Sequence, residues 1–228
     1  MNRGALRGAP LRMVEPHPAF PRQSGCCIVV GCAPCAADDF AAARALRPEA
    51  KVMAVNGAAA LAPADFQTGM HLGHLGKAAA IQFALFGRRT TLHYPYPALG
   101  RRVSHWRRQG APVPEEAGLY DHAWIGAQCG ATSAWAGVRI AKGMGFSEIV
   151  LAGVTLAVDG LAPGVYEAAL DPLAWTDRDA GKAARYRAAL LDYVAAGEGA
   201  GVYSMSGFTA EVLGVPPVRC GQGAQAVG

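Results

Sequence analysis

From Cys26 onward, short apolar runs alternate with segments of helical periodicity. Cys26-Cys-Ile-Val-Val30 is a continuous apolar run ending at Gly31, the pattern of a strand buried on both faces. Ala36 to Leu46 reads as a helix with Asp38 and Asp39 in its first turn. Lys51 to Val55 is a second buried strand, closed by Asn56-Gly57. Asp65 to His71 predicts a short third strand. Gly76 to Arg88 places Ala78, Ile81 and Leu85 on one helical face and ends in a basic turn. Thr90 to His93 predicts another strand, followed by an irregular Pro- and Arg-rich stretch to about Tyr120. A helical run then extends from Ser133 to Met144, with Gly145 as its C-cap. Ser147 to Gly153 follows as a strand, and 181–196 as a helix with Ala183, Tyr186, Leu190 and Val194 on one side. Val202 to Met205 and Phe208 to Leu213 predict a last strand and a short helix. This alternation argues for an α/β domain with a mostly parallel sheet, whose ligands sit beyond the carboxyl ends of the strands.

Of the 228 residues, 52% are hydrophobic and 17% charged, so the chain is not disordered by composition and can bury one sizeable core. The net charge of +4 and pI of about 8.8 are mild. The arginine pairs Arg88–Arg89, Arg101–Arg102 and Arg107–Arg108 are scattered rather than striped, so nucleic acid is an unfavoured partner. The apolar run from Ile149 to Val158 is too short to cross a bilayer. Residues 1–24 carry four arginines and several prolines without the apolar block of a signal peptide, and they read as a flexible arm of a cytoplasmic protein. Residues 25–215 form the domain and 216–228 a Gly/Gln/Ala-containing tail. Six cysteines, clustered mainly in one apolar strand and its turn, do not form a secreted disulfide framework.

Three turns carry the candidate chemistry. Gly31-Cys-Ala-Pro34-Cys35 links a buried strand to a helix, where backbone N–H groups and the helix dipole suit an anion. It lacks the G-x-G-x-x-G fingerprint, so neither NAD nor a flavin is expected. Asn56-Gly57 ends the second strand with an amide able to donate to and accept from a base or ribose. Gly130-Ala-Thr132-Ser133 offers two hydroxyls at a helix N-terminus, without the lysine of a P-loop. Each also reads as a plain turn or cap, but all three fall on one predicted edge of the sheet.

Cys32-Ala-Pro-Cys35 fits a thioredoxin-like C-x-x-C. The βα unit that follows, and the lack of an aromatic residue before Cys32, favour reduced, non-catalytic thiols instead. A helix N-terminus would lower the Cys35 pKa. His71-x-x-His74 has no strong third metal ligand, which leaves His71 as a lone candidate base. Acids able to serve as a base or to hold Mg²⁺ are Asp65, Asp159, Asp171, Asp177 and Asp179.

Taken together, Gly31-x-x-Pro34-Cys35, Val55-Asn56-Gly57-Ala58 and GATSAWAGVRIAKGMGFSEIVLAGVTL (130–156) resemble a group of phage proteins labelled "norphogenetic" or morphogenetic. SMSGFTAEVLG (204–214) matches the same group. More distantly the chain resembles a Rossmann-like superfamily that includes lipooligosaccharide sialyltransferases and 6-hydroxymethylpterin pyrophosphokinases. The resemblance implies a single Rossmann-like three-layer domain. It also implies a nucleotide cradle of Gly31, Pro34, Cys35, Asn56, Gly57, Gly130, Thr132, Ser133 and Gly153. The catalytic His that precedes the late helix in the sialyltransferases is missing from Trp175-Thr-Asp177-Arg-Asp179, so Asp177 would substitute as base.

The reading is a nucleotide- or nucleotide-sugar-binding, glycosyltransferase-like transferase, with Mg²⁺ as an optional cofactor and room for a homo-oligomer. A phage origin would place it in the host cytoplasm. Its rivals are a non-catalytic phage assembly protein that retains the fold and an ATP-dependent pyrophosphokinase-like enzyme.

Overall fold

Apolar runs buried on both faces require cover on both sides, and the sheet that forms is sandwiched accordingly. The computed structural model describes residues 20–70, 72–96, 120–127, 132–156 and 180–218. Its elements are β1 (Cys26–Val30), α1 (Ala36–Leu46), β2 (Lys51–Val55), a 3₁₀ turn (Asn56–Ala60), β3 (Phe66–Thr68), α2 (Leu72–Phe86) and β4 (Thr91–Tyr96). There follow β5 (His122–Ile125), α3 (Ser133–Met144), β6 (Glu148–Ala152), α4 (Ala180–Ala195), β7 (Val202–Ser204) and α5 (Gly207–Leu213). The sheet has seven strands in the order β5-β4-β3-β2-β1-β6-β7, and each neighbouring pair is parallel. The chain walks outward from β1 to β5, then returns to lay β6 on the other side of β1.

Alternate residues of each strand feed opposite cores. Ile28, Val30, Val52, Ala54, Val150 and Ala152 face α1, the 3₁₀ turn and α2, which meet them with Ala43, Ala58, Ala59 and Ala78. Cys27, Val29, Met53, Val55, Ile149 and Leu151 face α3 and α4, through Trp135, Val138, Ile140, Met144 and Leu190. Each large side chain fully buried here contributes roughly 1.5–3 kcal/mol. Gly137 brings α3 close to the sheet: a Cβ there would lie 3.2 Å from Val29 Cγ1. Gln82 of α2 is buried, yet its amide donates to the Ala59 and Ala62 carbonyls and accepts from Ala64 N, which pins the irregular β2–β3 connection.

The helix caps follow the chain's chemistry. Thr132 Oγ1 accepts from Trp135 N at 3.1 Å as the N-cap of α3, and Gly145 ends that helix at φ +104°.

Some expected boundaries differ. The sheet is wholly parallel, and β5 falls just after the stretch read as irregular, in residues for which the sequence predicts no element. Its four residues follow Asp121, whose carboxylate accepts from Leu92 N and opens the ladder, a contact no local pattern announces. α2 begins at Leu72 because Gly73 and Gly76 do not break it. Within the segment read as a flexible arm, Phe20 packs edge-on against Phe66, His93, His122 and Trp124, and Gln23 N donates to the Met144 carbonyl. At the other end, the Pro217 carbonyl accepts from Arg47. Residues 1–19 and 219–228 lie outside the described residues.

Candidate functional site

Because β1 and β6 are neighbours whose connections leave in opposite directions, their carboxyl ends frame the crevice where open α/β sheets bind ligands. Two glycines let the β1 and β6 ends close on each other there. A Cβ on Gly31 would lie 2.5 Å from the Gly153 carbonyl oxygen, and Gly153 itself adopts φ +66°. Gly31 N donates to the Ala152 carbonyl, and Ala33 N to that of Gly153, so the turn 31–35 is laced to β6.

Asp39, on the first turns of α1, ties the crevice to β7. Its Oδ2 accepts from Gly153 N at 2.9 Å, from Ser206 Oγ at 2.5 Å and from Cys35 Sγ at 3.4 Å. One buried carboxylate therefore fixes three chain segments. Neither Asp39 nor Ser206 was singled out by sequence, where Asp39 reads as an ordinary helix-dipole acid.

Beside this lies the end of β2. Asn56 is buried and adopts φ +51°, a conformation few non-glycine residues hold. A Cβ at Gly69 would lie 2.5 Å from Asn56 Oδ1, so Gly69 leaves room for the amide at the end of β3. Gly57 is buried in the same 3₁₀ turn. The Cys32 thiol donates to the Val55 carbonyl at 3.3 Å and bridges the first two turns. Thr132 and Ser133, at the start of α3, lie on the same edge. Thr132 lines a small apolar hollow with Trp135, Leu151, Val154 and Leu156.

Gly31, Cys35, Asn56, Gly57, Thr132, Ser133 and Gly153 thus share the carboxyl edge; Pro34 is on it too, exposed to solvent. Gly130, His71 and Asp177 lie outside the described residues, as do Asp159, Asp171 and Asp179. Asp65 is at the opposite edge, accepting from Val52 N and paired with Lys51, and so takes no part.

The Cys35 thiol departs from expectation. Burial raises its pKa above the ordinary value, Asp39 adds to the rise, and the Ser206 hydrogen bond opposes it. Its position at the start of α1 does not overcome that desolvation. The described cysteines are all free. Among the described residues no cluster of three or more His, Cys, Asp or Glu could hold a metal ion, and no helix is long and apolar enough to cross a membrane.

A wholly parallel α/β sheet with this strand order and a switch point between β1 and β6 is a Rossmann-like fold. In structure the chain is similar to the sialyltransferase CST-II, solved as an asparagine-to-alanine variant in complex with CMP. The two share 12% identity and a TM-score of 0.56 over 84% of this chain and 86% of that one. The MAf glycosyltransferase from Magnetospirillum magneticum AMB-1 gives 18% identity and a TM-score of 0.40, over 63% of this chain and 24% of that longer one. No protein-family model matches the chain, and no curated protein is significantly similar to it.

Proposed function

We propose that the protein binds a nucleotide or nucleotide-sugar at the carboxyl edge of β1, β2 and β6 and acts as a glycosyltransferase-like group transferase. The observation that carries this reading is the crevice itself: a glycine turn, a buried left-handed Asn56 and the N-terminus of α3 on one edge of a sheet. A protein of the same fold was crystallised with CMP. The Thr132 and Ser133 hydroxyls at the N-terminus of α3 would hold the phosphate that departs with the nucleotide. His71 or Asp177 would take the acceptor's proton.

The test is calorimetric titration with CMP, UDP, GDP, ADP and ATP, each with and without Mg²⁺. CMP is expected to bind best. Preference for ATP with Mg²⁺ would favour pyrophosphoryl transfer, and no binding at millimolar concentration would favour a non-catalytic role for the fold. Asn56→Gly keeps the φ +51° backbone but removes the amide. It should weaken CMP about tenfold, as loss of a buried polar partner costs about 1–3 kcal/mol, while the protein stays folded. Asn56→Asp should weaken it at least as much by placing charge beside phosphate. Ser133→Ala should act in the same direction, more mildly. An Asn56→Gly variant that binds as wild type would reduce Asn56 to a turn former.

A further inference from the structure

We propose that Arg187 is an anion-binding residue of this edge, placed to take a phosphoryl group of the bound nucleotide; the inference rests on the nucleotide reading above. α4 brings Arg187 to the loop that follows β6, where its Nε donates to the Leu156 carbonyl at 2.7 Å. The guanidinium carbon lies 4.4 Å from the centroid of the Phe208 ring on α5. One hydrogen bond and one stacked ring fix the plane of the group.

The remaining donors are what set this arginine apart. Arg47 spends its fork on both Glu148 oxygens and the Leu46 and Pro217 carbonyls. Arg139 spends its own on both Glu198 oxygens and the Gly126 carbonyl. Arg187 is half-buried like a structural arginine, yet among the described residues its two terminal nitrogens meet no acceptor and it forms no ion pair. A guanidinium held by Nε presents parallel N–H groups on its outer edge, the geometry that takes an oxyanion bidentately.

The backbone that receives Arg187 is itself unusual. Leu156 is buried at φ +49°, and Asn56 is the other described non-glycine residue with positive φ. Both lie just beyond the carboxyl ends of strands. Such conformations cost of order 1–3 kcal/mol and persist where the surroundings impose them, often at ligand sites. The Leu156 conformation turns its carbonyl to Arg187 beside the hollow lined by Thr132, Trp135, Tyr186 and Thr209. Apolar walls weaken competing solvation and strengthen a charge-assisted contact.

Titration of CMP against cytidine in wild type, Arg187→Gln and Arg187→Lys tests the assignment. Wild type should prefer CMP by about 10- to 100-fold, the worth of hydrogen bonds to a charged group. In Arg187→Gln that preference should collapse while cytidine affinity holds, and the salt dependence of CMP binding should flatten. Arg187→Lys should restore part of it. A merely structural arginine would leave the CMP-to-cytidine ratio unchanged, and that result overturns the proposal. Protection of Arg187 from phenylglyoxal in the wild-type chain, mapped by mass spectrometry, needs no variant. CMP, pyrophosphate and inorganic phosphate should protect, whereas cytidine and glucuronate should not. Protection by glucuronate alone would make the site one for carboxylates, and no protection by any anion overturns it. If wild type binds neither CMP nor cytidine, the nucleotide reading fails, while pyrophosphate protection still decides the role of Arg187.

Discussion

Gly31 and Gly153 stand against each other at the crossover of the sheet, so close that a methyl group on Gly31 would lie 2.5 Å from the Gly153 carbonyl oxygen and 2.8 Å from Val154 Cγ2. The obstacle is backbone and cannot rotate away. Gly31→Ala should therefore destabilise the protein by about 1–3 kcal/mol, as overpacking does, and, on the proposed nucleotide reading, weaken CMP binding by spreading the turn. Gly76, on α2, meets nothing within 4 Å. There the same substitution should stabilise by roughly 0.5–1 kcal/mol through helix propensity. Urea denaturation of the two variants gives the comparison, and equal effects would contradict it.

Arg47 and Glu148 form a buried pair at the amino edge, with Arg47 Nη2 2.6 Å from Glu148 Oε1. Hydrogen bonding to Glu148 raises the Arg47 pKa despite burial, so the guanidinium stays charged. Glu148→Gln or Glu148→Ala would leave that charge uncompensated and should cost about 3–5 kcal/mol. Replacing both partners by Met and Leu should recover most of the loss, because the desolvation of both ions vanishes with the pair. A double variant as unstable as the single one would show that the residues do not act as a unit.

Truncation separates the described and undescribed parts of the N-terminal segment. Removing residues 1–24 takes away the Phe20 ring, whose centroid is 5.0–6.0 Å from those of Phe66, His93, His122 and Trp124. Phe→Ala changes in cores cost about 3–5 kcal/mol. Phe20 is only partly buried, so about 2–3 kcal/mol is expected, or roughly 4–12 °C in Tm for a domain of this size. Removing only 1–19 should cost much less. Calorimetric melting of the two truncations decides; equal Tm values would show that Phe20 contributes nothing.

The fold was largely legible because parallel strands buried on both faces are continuous apolar runs. β1, β2 and β6 stand out as CCIVV, KVMAV and EIVLA between turn signals. β5 was not legible, since HAWI is short and its pairing is decided by Asp121 and β4, residues distant along the chain. The glycine and asparagine turns of the site were readable because strand ends and turn chemistry are local. The contacts of Asp39 and Ser206, and the placement of Arg187 in its proposed role, were not. Their meaning arises only when α1, β6, β7 and α4 meet, with Asp39 and Ser206 separated by 167 positions. The Cys35 pKa was misread for the same reason, since its sign depends on burial contributed by distant segments.

The two crevice-side and core thiols make stability fall in alkali. Cys27 is wholly buried in β1, and burial pushes its thiol well above the ordinary value, with Cys26 and Asp65 acting in the same sense. Burial raises Cys35 as well. An unfolded thiol loses its proton near pH ~8.5. Above that pH the unfolded chain releases protons that the folded one retains, so the folded state binds more protons and stability declines as pH rises. The full contribution is present below about pH 8 and is lost progressively as the pH climbs toward the raised folded values. Lys142 opposes this trend, because burial lowers its pKa and its stability contribution rises with pH between that lowered value and about 10.4. Unfolding free energies measured from pH 7.5 to 9.5 should show a net decline. Cys27→Ala should flatten its slope by up to about 1.4 kcal/mol per pH unit, the limit for one proton, even though the cavity lowers stability at every pH. An unchanged slope in that variant would mean that Cys27 ionises as freely in the folded chain as in the unfolded one.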